Sequence, residues 1–397
     1  MFLLFAVHIF FTLKLNFVQR HTLKGIKYSF HPDSALDGIG TYRAFASALG
    51  TTIGPGNITG VALAISMGGP GAVFWMWLSG VVAMSTKYAE SYLSLRYTRK
   101  INNTSVGGTM VLLNKLGNYR LSKLWALFCA VGGLFMGAAV PSNSLSHTLA
   151  CPDWFTGFLL AFFTLVTVSF GVKGIANVCS LVVPVMSCGF MLFSLFLLFR
   201  NPTAAVNSLK IIITNAFDFK TAFIGTMSHG ITRGLYSNES GLGTGGVLAA
   251  ESGDKNTVLS SLAAMTTAFW DTVVMCALTG VVFVTYGADK GLNPDLIMKN
   301  AFNSVVFGSA FLSVSMSLFV FATVIGWYYI AKRALVFLSG RTAVYDFLYI
   351  SFLFFGAVIN SDLLWSAADA VNIALLLPSV YAIIKLSDKI NLYIKDK

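Results

Sequence analysis

The chain has 397 residues, of which 56% are hydrophobic and 11% charged, with a mean hydropathy of +0.73. That excludes a water-soluble globular domain, and no nucleotide loop, metal cluster or nucleophile–base arrangement argues for an enzyme. The net charge of +11 does not point to nucleic acid, because the basic residues lie in alternate loops rather than on one module.

Apolar runs long enough to span a bilayer recur along the whole length, which predicts one all-α polytopic membrane domain. Residues 2–13 are apolar but too short to span alone. No small-residue cleavage site follows, so they read as the tail of a first helix rather than a signal peptide. Full spans are expected at 41–66, 71–95, 122–147, 154–172, 178–199, 221–250, 257–285, 304–336, 345–361 and 365–386. Most of the 27 Lys and Arg residues fall in the 14–43, 96–123 and 332–341 loops and the tail after 385. That face, with the C-terminus, is assigned to the cytoplasm. The five cysteines are scattered and form no CxxC pair, so apolar filler is the better reading.

Residues 50–61, GTTIGPGNITGV, cannot be an ordinary helix. Gly50, Gly54, Pro55 and Gly56 loosen it and remove a donor, and the freed backbone groups need partners at membrane depth. A second interruption, GLYSNESGLGTGG at 234–246, lies five spans later and carries five glycines with Ser237, Asn238, Glu239 and Ser240. Glycines alone fit close helix packing; Pro55 and Glu239 do not. Two broken helices in corresponding places divide the chain into 1–40, a first five-helix half over 41–199 and a second over 221–386. This is the pattern of an inverted-repeat transporter.

A broken helix offers amides to a carboxylate and carbonyls to a cation. Asn57 beside the first break reads as a pocket residue or as a cap of the restarted helix. Thr323 and Trp327, one turn apart, read as an oxygen ligand and a pocket wall. Lys87 and Glu90, spaced i,i+3, are expected to form an ion pair. Glu239 in the break and Asp271 near it are candidates for structure or gating, because an intramembrane acid is expensive.

GTTIGPGNITGVALAISMGGPGAVFWMW with TKYAES, and GITRGLYSNESGLGTG, resemble the two signature segments of the alanine or glycine:cation symporters, the sodium:alanine symporter family. FWDTVVMCALTG, LFVFATVIGWYYIAKRAL and SDLLWSAADAVNIALLLP resemble its later segments. The resemblance implies a fold similar to that of the leucine transporter LeuT, an inverted 5+5 repeat with one extra N-terminal helix. It implies uptake of a small neutral amino acid, alanine or glycine, driven by Na+ across a bacterial cytoplasmic membrane, with no other cofactor. It also implies a substrate site from Thr52, Gly54, Gly56, Asn57, Ser240, Gly241, Gly243, Thr323 and Trp327. Sodium would sit near Thr51, Thr52, Gly54 and Thr323. The chain departs from the family pattern at Ala322, where a threonine is usual, at Ala138 and Pro141, where Asn and Gln are usual, and at Thr244–Val247. The alternatives are a proton-coupled or broader amino-acid carrier and a non-transporting membrane amino-acid sensor.

Overall fold

The computed structural model describes residues 2–30, 38–101, 104–218, 223–254, 256–338, 342–359 and 361–391. Arg341, Lys395 and Lys397, counted above among the loop charges, lie outside them. The first apolar run is α1 (Phe2–Lys14), which turns through 67° at the left-handed residues Asn16 and Phe17 into α2 (Thr22–Ser29). α3 (Thr41–Thr52) and α4 (Thr59–Gly68) form the first broken span, bent by 55°. α5 (Ala72–Tyr97) follows unbroken, and a short hairpin, β1 (Arg99–Ile101) and β2 (Thr104–Val106), leads to α6 (Thr109–Lys115).

The next span runs from α7 (Tyr119–Gly132) through a π-helical stretch, Gly133–Ala139, into α8 (Val140–Thr148). Pro141, which has no N–H to donate, sits just past that widened stretch, a common way of accommodating the missing bond. α9 (Asp153–Ser169) and α10 (Gly171–Arg200) complete the first half. Here α10 starts at Gly171 rather than at the expected 178.

α11 (Pro202–Ala216) lies between the halves, and the second half opens with the second broken span, α12 (Phe223–Asn238) and α13 (Thr244–Ala249). α14 (Thr257–Ala268) passes through a π-helical stretch, Phe269–Cys276, into α15 (Ala277–Thr285). α16 (Pro294–Phe302) is a separate short helix, which is why α17 (Gly308–Leu338) begins later than the expected 304. α18 (Ala343–Val358) and α19 (Ser361–Lys385) end the bundle.

Five of these helices are long and apolar enough to cross a membrane alone, and up to seven if the α1–α2 and α3–α4 pairs each count as a span. α9 and α18 are shorter apolar helices, α5 carries Lys87 and Glu90 in its run, and α12–α13 is interrupted at 239–243.

The ends of the helices sort onto two faces. On one face Lys14 meets Asp388 at 2.5 Å, Lys332 meets Asp346 at 3.1 Å and Arg333 meets Glu251 at 2.9 Å. Asp254 collects hydrogen bonds there from Tyr28, Thr41, Ser260 and the Asn256 amide. Burial works against its charge, but those donors outweigh burial and hold the carboxyl below the ordinary carboxylate range. On the other face Thr226 donates to the carbonyl of Gly68 and the amide of Gly291 to that of Ser66. The α3–α4 span therefore starts at the basic face and α12–α13 at the opposite one, so the two broken helices run antiparallel. This is the inverted repeat expected from the sequence.

Candidate functional site

The two breaks meet in the middle of the bundle around a small cavity. From the first break come Thr51, Thr52, Gly54, Pro55 and Gly56; from the second, Tyr236, Ser237 and Glu239; and from the helices opposite, Met136, Pro141, Thr323 and Trp327. Of the residues expected from sequence, Thr51, Thr52, Gly54, Gly56, Glu239, Thr323 and Trp327 are thus brought together. Asn57, Ser240, Gly241 and Gly243 do not line this cavity.

The first break is built by what the chain cannot do. After Thr52 the backbone leaves the helix at Ile53 and is extended at Gly54, and Pro55 opens a 3-10 turn to Asn57. α17 closes on it: a Cβ on Gly54 would stand 2.3 Å from the Thr323 hydroxyl, and one on Gly326 would stand 2.3 Å from the Thr51 methyl. Thr323 donates not to its own helix but to the carbonyl of Gly50, at 3.2 Å. The hydroxyls of Thr51 and Thr52 donate back to the carbonyls of Ala48 and Leu49, so their hydrogens are engaged within α3. Ala322 lies buried beside Gly50, where a threonine would have added a hydroxyl.

Asn57 turns away from the cavity. Its Oδ1 accepts from the Gly54 amide at 2.8 Å, and its Nδ2 donates to the Asp271 carboxylate at 2.8 Å and to the Asp271 carbonyl at 3.0 Å. Ser237 donates to both oxygens of the same carboxylate and Thr272 to one of them. Asp271, fully buried, therefore ties the first break to α12, and Asn57 takes the capping role that the sequence left as an alternative to pocket lining.

The second break is held by side chains from within the protein. Glu239 adopts a left-handed conformation at φ 52°, and Gly241 and Gly243 follow at 95° and 86°, which glycine tolerates. The Glu239 side chain points into the cavity, where its carboxylate accepts from Trp327 Nε1 at 2.7 Å and from the Thr244 hydroxyl at 2.9 Å. Lys87 and Glu90 do not form the expected ion pair with each other. Lys87 Nζ donates to the Asn238 carbonyl at 3.1 Å, and Glu90 Oε1 accepts from the Gly243 amide at 2.9 Å. The i,i+3 spacing put them on one face, but the face is packed against α12 and α13, whose free backbone ends are stronger partners.

Sequence reasoning missed Met136 and Tyr236, and it placed Ser237 in the break without assigning it to the site. Tyr236 and Ser237 stood inside the second broken motif and could have been read from it; Met136 carries no signal of its own. Pro141 lines the cavity, whereas Ala138 is buried outside its lining. Asn143 caps α18 through the carbonyls of Gly356 and Ile359.

Aromatic and ionic layers lie on either side of the cavity. Tyr236 meets the Trp365 ring at 4.9 Å, and the Arg233 guanidinium lies 5.0 Å over that ring and 4.0 Å from the Asp369 carboxylate. Beyond Trp365 is a vestibule lined in part by His147, Asn293 and Asp295. Toward the basic face, Arg333 pairs with Glu251 and lies 4.7 Å over Tyr329.

A pair of antiparallel broken helices enclosing a small cavity at mid-bundle defines a secondary transporter rather than an enzyme. The family of sodium:alanine symporters matches residues 1–396, and the chain belongs to it. The sodium/alanine symporter AgcS of Methanococcus maripaludis is 34% identical over 97% of this chain and 91% of its own length. The probable sodium/glutamine symporter GlnT of Bacillus subtilis is 30% identical over 99% of this chain and 86% of its own. Among solved structures, MhsT in complex with L-phenylalanine is similar in fold, with a TM-score of 0.62 at 15% identity, covering 87% of this chain and 88% of that one.

Proposed function

We propose that the chain carries a small neutral amino acid, alanine or glycine, into the cell together with Na+, with its basic face in the cytoplasm. The observation that carries this reading is the asymmetry of the cavity wall. One side is backbone of an open helix break, and the other holds the Glu239 carboxylate beside Trp327. A zwitterion fits that pair of ends: its carboxylate against the first break and its ammonium toward Glu239. The proposed substrate residues are Thr52, Gly54, Gly56, Glu239, Thr323 and Trp327. Met136, Pro141 and Trp327 leave little room for a side chain, which favours the smallest amino acids.

Sodium prefers hard oxygen donors. The carbonyl of Gly50 and the hydroxyl of Thr323, 3.2 Å apart where α17 crosses the break, are the group we assign to it, with main chain of Thr51 and Thr52 beside them. Both lie on different helices, so a cation there would favour their approach. Alternating access would open the Tyr236–Trp365–Arg233 layer in one state and the Arg333–Glu251 layer in the other.

The test is uptake of radiolabelled alanine, glycine and glutamine into proteoliposomes under an inward Na+ gradient, a proton gradient or neither. Accumulation of alanine or glycine with Na+ alone is expected. Uptake that needs only the proton gradient would replace Na+ by H+, the reading favoured by the hydroxyl lost at Ala322. Binding without accumulation under any gradient would make the chain a sensor.

A further inference from the structure

α5 enters the second break with two charged side chains one turn apart, both 2% exposed, neither of them in the cavity wall. α12 ends at Asn238, where unpaired carbonyls and the helix dipole leave negative charge. The Lys87 ammonium donates to that carbonyl. Across the break, the Gly243 amide has no helical partner, and the Glu90 carboxylate accepts from it; Ser379 adds a longer bond to the same oxygen. The fit is close. A Cβ on Gly245 would stand 2.7 Å from Lys87 Cε, so the glycine run is a groove for the lysine stem. One turn further on, Ser94 donates to the Gly246 carbonyl and accepts from the Gly108 amide. Between the two clamped points lies Glu239, in a backbone conformation that a non-glycine residue rarely adopts and that the surroundings must impose.

We propose that Lys87 and Glu90 are positioning residues: they hold the second break in its kinked form and so aim the Glu239 carboxylate into the cavity. Substrate affinity then depends on two side chains that never meet the substrate. The affinity part of this rests on the transport reading above; the clamp itself does not.

Two measurements on the purified full chain separate these. Hydrogen–deuterium exchange is followed over residues 234–249 and over α17 as a reference, without substrate. Lys87→Met keeps the stem and removes the ammonium; exchange over 234–249 should rise about tenfold while α17 stays within about twofold. Glu90→Gln keeps an acceptor for Gly243 and should give a smaller rise in the same segment. In proteoliposomes Lys87→Met should raise the KM for alanine about tenfold with kcat within about threefold, and Glu90→Gln should fall between it and the wild type. Unchanged exchange and KM in Glu90→Gln, or a rise spread evenly over the chain in either variant, overturns the clamp. If Lys87→Met fails to accumulate, Glu90→Gln decides alone. If the wild type carries no alanine, the transport reading falls while the exchange result still stands or fails by itself.

Discussion

The two broken helices solve one problem in opposite ways. Each leaves backbone groups without helical partners at membrane depth, where an unsatisfied group costs several kcal/mol, roughly. In the second break protein side chains meet the demand: Lys87 on the Asn238 carbonyl, Glu90 on the Gly243 amide, and Asn238 Oδ1 on the Ser240 amide. In the first, Asn57 holds the Gly54 amide and Thr323 the Gly50 carbonyl, and residues 51, 52 and 54–56 border the cavity. A site that must bind and release needs ends that are unfilled in one state, whereas a hinge that must carry Glu239 needs ends that stay filled. Substitutions that disturb the held backbone of the second break should therefore cost folded protein, and those in the first should cost transport.

The largest effect is expected at Gly243. It sits at φ 86°, and a Cβ there would stand 2.0 Å from the Thr109 hydroxyl. Left-handed strain alone is worth about 1–2 kcal/mol, and the overlap adds to it. Gly243→Ala should lower the yield of monodisperse protein in size-exclusion chromatography about tenfold or more. Gly54→Ala should do the reverse. Its backbone is extended, which alanine adopts freely, but the Cβ would displace the Thr323 hydroxyl that lies 2.3 Å away. Sodium-driven alanine uptake should fall about a hundredfold with the yield kept within about twofold. A normal transport rate in Gly54→Ala, or a normal yield in Gly243→Ala, breaks the contrast.

Thr323→Val comes next, because it keeps the shape and removes only the oxygen donor. The concentration of Na+ giving half-maximal uptake should rise about tenfold, the loss of roughly one hydrogen-bond-sized interaction. The dependence on alanine at saturating Na+ should move much less. An equal shift in both, or in neither, would take Thr323 out of the cation site.

How much of this could be read from the chain follows the same division. Gly54, Pro55 and the glycines of 234–246 announced both breaks, because a helix that cannot close its hydrogen bonds is a local property. The antiparallel placement was legible from the loop charges and the spacing of the breaks. What fills each break was not. Lys87 and Glu90 looked like partners because sequence shows only their neighbours on α5; the competing backbone ends on α12 and α13 come from packing elements far apart in the chain. Asn57 stayed open between pocket and cap for the same reason. Its partner Asp271 lies on the π-helical stretch 269–276, and nothing in periodicity announces that widened turn. Met136 is invisible for a plainer reason: an apolar residue in an apolar span carries no mark of which face it presents.

The smallest effect should come from Ser240, and it is the sharpest discriminator. The resemblance implied that this residue helps to complete the substrate pocket. In the structure it is fully buried, its amide is held by Asn238 Oδ1, its hydroxyl has no hydrogen-bond partner, and it lies outside the cavity wall. A buried hydroxyl without a partner contributes nothing to stability, so Ser240→Ala should leave the thermal midpoint unchanged or slightly raised. Alanine KM and kcat should stay within about twofold of the wild type, the range of substitutions that touch no special feature. Should KM instead rise tenfold with stability intact, the Ser240 hydroxyl must reach the substrate during the cycle. The second break would then open as the first does, and the contrast between a filled hinge and an unfilled site would describe only one of the transporter's states.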